Sequence, residues 1–249
     1  MATKETDQPI ATIRPPAGDD KFPRTLSLAV HELRTPVTVV CGYLRMVLKE
    51  QGGPLTDKQR KMLQEAERSC ERIGALVSEM SELGKLEGQE LTVARQDIDL
   101  AHLTIEVAGN MHEGEDRGVH LDVRVPDGDV VVVGDRARLS AAIGSLLHAA
   151  LRERGEPGVV VAQCAVMKSD AAPDAASTWA VLAVGDADTV RALIDGAHRE
   201  QAPFDEYRGG LGLALPVARR VVEALGGSLW SAGGERPRAG SALRLPLRT

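Results

Sequence analysis

Along the first third of the chain, mostly apolar residues recur at alternating steps of four and three. Leu26, Val30, Leu33, Val37, Val40, Leu44 and Val47 follow this rule. After a break, so do Met62, Ala66, Ser69, Ile73, Leu76, Met80 and Leu83. A heptad seam lays one stripe along a helix that packs side by side with another. Gln51-Gly52-Gly53-Pro54 interrupts the first run, and Thr56 with Gln59 reads as a capping box that opens the second. Two helices joined by so short a turn form an antiparallel hairpin. One hairpin has a thin core, whereas hairpins from two chains close a four-helix bundle, so the repeated seam predicts a homodimer.

Residues 1–21 are polar, with Pro and Asp, and read as a disordered leader. Residues 22–86 hold the hairpin, 87–97 are a polar linker, and 98–249 have a different pattern. There, helices are expected over 98–112, 135–154 and 213–225, the last closed by Gly226-Gly227. Strands are expected over 119–125, 130–133, 159–167, 179–184, 228–231 and 242–247, with a long irregular connection over 185–209. The predicted class is α+β: a helical hairpin forming a dimeric four-helix bundle, then an α/β sandwich with helices on one face of a mostly antiparallel sheet.

Composition narrows the function. Of 249 residues, 43% are hydrophobic and 27% charged, an ordinary globular balance. The net charge of −6 and only two each of Phe, Tyr and Trp leave neither a basic footprint nor a stacking platform for nucleic acid. No stretch approaches the roughly 20 apolar residues of a membrane helix, and the N-terminus lacks a signal-peptide core. A cytoplasmic protein without membrane insertion is expected. Cys41, Cys70 and Cys164 are few, odd in number and far apart, which predicts three reduced, mostly buried thiols and no CxxC metal site.

The chemistry is concentrated in His31-Glu32-Leu33-Arg34-Thr35-Pro36. His31 follows the seam residue Val30, so its ring should face solvent, where imidazole can act as a nucleophile. Glu32 can take the ring's other proton. Pro36 lacks an N–H and should kink the helix nearby. By spacing alone, the same residues also fit a surface histidine on a coiled coil.

This hexapeptide in a heptad hairpin resembles the phospho-acceptor box of two-component sensor histidine kinases, and the resemblance extends over about residues 22–249. It implies a dimerisation and histidine-phosphotransfer domain followed by a histidine-kinase-type ATPase domain. It also implies that His31 is phosphorylated, Glu32 is its base and Thr35 positions water for dephosphorylation. The implied cofactor is ATP with magnesium. The implied partners are a second copy, the receiver domain of a response regulator, and another kinase or a separate sensor protein.

The resemblance continues unevenly through the nucleotide site. Gly134-Asp135-Arg136-Ala137-Arg138-Leu139 matches the entry to the family's asparagine-bearing helix. Its two asparagines fall at Ser145 and Ala149, and Ala149 has no oxygen to ligate magnesium. His148 lies about 100° round the helix and suits magnesium badly. Arg152 stands where a basic residue faces phosphate. Asp186 matches the aspartate that reads adenine, but the glycines that follow it in the family are Asp188 and Val190 here, expected to crowd the nucleotide. The last glycine box aligns at Gly210, Gly212 and Ala214. Residues 187–209 would form the lid over ATP, with Phe204-Asp205-Glu206-Tyr207 its aromatic motif. Asp186 alone also fits a solvated turn, and the glycines a plain loop.

The expected function is ATP-dependent autophosphorylation on His31 and transfer to an aspartate of a response regulator. The alternatives are a phosphotransfer protein that receives its phosphoryl group elsewhere, and a response-regulator-docking protein without kinase activity. On this reading, Ala149→Asn would return a magnesium ligand, and Asp188→Gly would relieve repulsion.

Overall fold

The computed structural model describes residues 21–87, 94–168, 178–197, 202–232 and 240–248. The expected leader, apart from Lys21, lies outside them, as does the middle of the linker. Helices α1 (Lys21–Leu48) and α2 (Asp57–Glu87) form the hairpin. The capping box is present: Thr56 N–H donates to Gln59 Oε1 at 2.9 Å, and Gln59 N–H donates to Thr56 Oγ1 at 3.3 Å. Helix α1 runs on through Pro36. Val30, Cys70 and Val77 are buried between the helices. The seam residues Leu33, Val40, Met62 and Ile73 remain 44%, 53%, 65% and 48% exposed on the single chain.

Contrary to expectation, the three cysteines are not all reduced. Cys41 of α1 and Cys70 of α2 form a disulfide, with 5.8 Å between their Cα atoms. Separation along the chain was a poor guide, because antiparallel packing brings the middle of α1 against the middle of α2. Cys164 is the free and buried thiol, and burial pushes its pKa up to about 11.

Strand β1 (Gln96–Asp99) lies at the end of the expected linker and pairs antiparallel with β3 (Val131–Gly134). Asp99 accepts from the N–H groups of Ala101 and His102 and so opens α3 (Leu100–Gly109). The larger sheet contains β2 (Val119–Arg124), β4 (Gly158–Lys168), β5 (Thr178–Gly185), β6 (Ser228–Ser231) and β7 (Gly240–Pro246). Its order is β2-β4-β5-β7-β6, and only the β2–β4 pair is parallel. Helices α3, α4 (Arg136–Glu153) and α6 (Ala214–Ala224) cover one face. The core there includes Leu103, Leu139, Ile143, Leu147, Leu182, Leu215 and Leu243.

The other face is also covered, contrary to the one-sided layout expected. Alternating strand residues Val161, Val181, Ala183 and Ala242 point the opposite way and meet Val190 and Leu193. These belong to helix α5 (Ala187–Asp195), within the segment expected to be irregular. Asp186 caps this helix by accepting from Thr189 N–H at 2.8 Å. Val190 and Leu193 are one turn apart, and together they form the apolar side that holds α5 on the sheet.

Candidate functional site

His31 stands on the outer surface of α1 with 78% of its side chain exposed. Its Nδ1 lies 3.6 Å from Glu32 Oε1, within ion-pair range but longer than a hydrogen bond, so the carboxylate is adjacent to the ring and Nε2 is left available. Thr35 is exposed one turn further along. Arg34 reaches across the hairpin toward Ser81 Oγ at 3.4 Å.

The residues proposed for nucleotide binding divide into three groups. Gly209, Gly210 and Gly212 have φ values of +69°, +61° and +65°, a left-handed run that glycine adopts without a Cβ penalty. Arg152 donates to the Gly210 carbonyl at 3.4 Å and pairs with Glu113 at 3.5 Å. Arg152 and Gly210 are therefore brought together. Ala149 is fully buried beside Gly209. Ser145 sits one turn back on α4 and donates to the Ala141 carbonyl. It lines a groove of about 480 Å³ between α2, α4 and α6, with Glu79, Glu82, Arg138 and Ala214. The Asp186 carboxylate is engaged at the start of α5, where it accepts from Thr189 N–H.

Asp188 and Val190 do not occupy the positions expected of them. Asp188 is 94% exposed in the first turn of α5. Val190 is a core residue of the second sheet face. Phe204, expected in the lid motif, is buried in the main core, while Tyr207 is 80% exposed.

Residues 24–89 match the His Kinase A (phospho-acceptor) domain. The chain is 28% identical over 206 residues to the signal transduction histidine-protein kinase BarA of Escherichia coli, covering 80% of this chain and 22% of that protein. It is 24% identical over 201 residues to the sensor histidine kinase WalK of Bacillus subtilis, covering 81% of this chain and 33% of the relative. By these likenesses the chain resembles two-component sensor histidine kinases, and its hairpin matches their phospho-acceptor domain. It spans only about a fifth of BarA and a third of WalK. The fold of these histidine kinases also appears in the crystal structure of full-length ShkA in complex with AMPPNP. That structure superposes with a TM-score of 0.68 at 21% identity, over 91% of this chain and 46% of ShkA.

Three further residues that no sequence motif marks shape the site. Glu113 lies 3.8 Å from His148 and 3.5 Å from Arg152. Burial lowers the His148 pKa, and the nearby Glu113 opposes that shift. Arg208 is buried, donates to Gly240 O and Ser241 Oγ, and lies 3.5 Å from Glu153. It ties the glycine loop to β7 and the end of α4. Glu79 of α2 meets the start of α6. Among the described residues, no helix is long and apolar enough to cross a membrane.

The donor set does not suit a resident magnesium ion. Ala149 offers no side-chain oxygen and is enclosed, and no group of three or more His, Cys, Asp or Glu among the described residues could hold a metal.

Proposed function

We propose that this chain carries out phosphotransfer through His31 in two-component signalling. The supporting observation is the exposed imidazole beside Glu32, within the segment that matches a phospho-acceptor domain. In the first reading the donor is ATP. Nε2 attacks the γ-phosphorus, the bond to the bridging oxygen breaks, and ADP leaves with that electron pair. Glu32 accepts the Nδ1 proton as the ring gains charge. The phosphoryl group then passes to a carboxylate oxygen of a receiver-domain aspartate. Catalysis on the protein's side is positioning and charge stabilisation. Arg152 would supply positive charge and the Gly210–Gly212 loop would cradle phosphate, while Thr35 would orient water for the separate hydrolytic removal of phosphate from the response regulator. The exposed seam residues Leu33, Val40 and Met62 support dimerisation through the hairpin.

A second reading is favoured by Ala149 beneath Gly209 and by Asp186 held as a helix cap. Here His31 receives its phosphoryl group from another kinase and needs no ATP of its own. Incubation with labelled ATP, beside a His31→Ala control, separates the two. Acid-labile label lost in the control supports the first. Label that appears only when a phosphorylated partner kinase is added supports the second. Label surviving His31→Ala overturns both.

A further inference from the structure

Glu79 reaches from the hairpin to the first turn of α6. Its Oε2 accepts the backbone N–H of Leu213 at 2.9 Å. Leu213 is the N-cap of α6, and its own side chain cannot cap the helix. The N-terminus of a helix carries unpaired N–H groups and a partial positive charge, which together favour an anion. In this structure the anion is Glu79.

The neighbouring contacts hold it there. A Cβ built on Gly212 would lie 2.5 Å from Leu76 Cδ2 and 3.2 Å from Glu79 Oε2, so the glycine loop is pressed against α2. Arg72 donates toward Gly210 O at 3.5 Å, and Glu82 pairs with Arg138 of α4 at 2.7 Å. Arg72, Leu76, Glu79 and Glu82 recur at steps of four and three, which aligns them along one side of α2. Partial burial raises the Glu79 pKa, and the Leu213 hydrogen bond only partly opposes this.

We propose that Glu79 is a built-in plug, whose carboxylate occupies the anion position at the start of α6 and excludes a nucleotide's terminal phosphate until α2 and α6 part. The proposal rests on the reading of the Gly210–Gly212 loop as the phosphate-binding end of the nucleotide site. One N–H cannot serve carboxylate and phosphate together, and two anions at that distance repel. The arrangement couples nucleotide entry to the position of the helix that pairs with the His31 helix.

The test is calorimetry of ATP, pyrophosphate and adenosine with the intact chain, Glu79→Gln and Glu79→Ala. Both variants should bind ATP and pyrophosphate about tenfold more tightly than the parent, as expected for removal of a charged hydrogen-bond competitor. Adenosine, which has no phosphate, should bind all three alike. Hydrogen exchange at the Leu213 amide should quicken in Glu79→Ala. Equal ATP affinity in parent and variants overturns the plug while leaving the phosphate site intact. Failure of ATP and pyrophosphate to bind any variant overturns the phosphate-site reading and the plug with it.

Discussion

Gly209 lies directly on Ala149: a Cβ added to the glycine would stand 3.1 Å from the Ala149 Cα and 3.2 Å from its Cβ. The alanine is therefore more than a missing ligand. It is the small residue that lets the glycine loop close on α4. Ala149→Asn, which the sequence alone suggested as a repair, would place its amide in that contact. The expected result is a loss of about 1–3 kcal/mol from overpacking and no gain in His31 phosphorylation. Denaturant titration and a labelled-ATP assay check both parts, and a stable variant with faster labelling would refute the account.

The Cys41–Cys70 bridge, spanning 29 residues, should stabilise the hairpin by limiting the unfolded chain. Loop-closure entropy for such a span corresponds to roughly 3–4 kcal/mol at 25 °C. A reductant should therefore lower the denaturant midpoint of the parent but not that of Cys41→Ser/Cys70→Ser. Native thiol labelling should leave Cys164 unmodified, since it is buried and its pKa is about 11.

His148 sets a pH dependence. Burial holds its pKa below the ordinary histidine value, with Glu113 opposing and Arg152 adding to the shift. As pH falls, the unfolded chain takes up this proton first. The stability linked to neutral His148 is thus present above about pH 6.5 and is lost as pH falls from there toward the folded pKa. The melting temperature should drop less between about pH 7.5 and about pH 5.5 in His148→Gln than in the parent.

Val190 and Asp188 should respond in opposite ways to glycine. Val190→Gly empties part of the core under α5 and weakens a helix, for an expected loss of roughly 2–4 kcal/mol. Asp188→Gly changes an exposed first-turn residue and should stay within about 0.5 kcal/mol. Neither should improve nucleotide binding. Thermal melts and calorimetry on the two variants provide the comparison.

The sequence disclosed what is local and periodic. The heptad steps and the Thr56–Gln59 pair mark α2 because both interactions close within one or two turns. Strand β1 was missed because Gln-Asp-Ile-Asp reads as linker, with only Ile98 turned inward. Helix α5 is not legible in the sequence because the family pattern places glycines where this chain has Asp188 and Val190, and Val190 with Leu193 is too short an apolar repeat to mark a helix. The disulfide depends on how α1 sits beside α2, which no single helix reveals. Glu79 left no signal because its partner is a backbone N–H.

The bridge between Cys41 and Cys70 also divides the hairpin mechanically. On one side, residues 41–70 form a closed covalent ring through the turn, and the two helices cannot slide past each other there. On the other side are the free arms that carry His31, Pro36 and the α2 residues touching the α/β domain. A displacement of α1 along its axis passes the bridge only by carrying α2 with it. Relative motion of the two helices is left to the arms above the bridge, the part of the hairpin that holds His31 and Glu79.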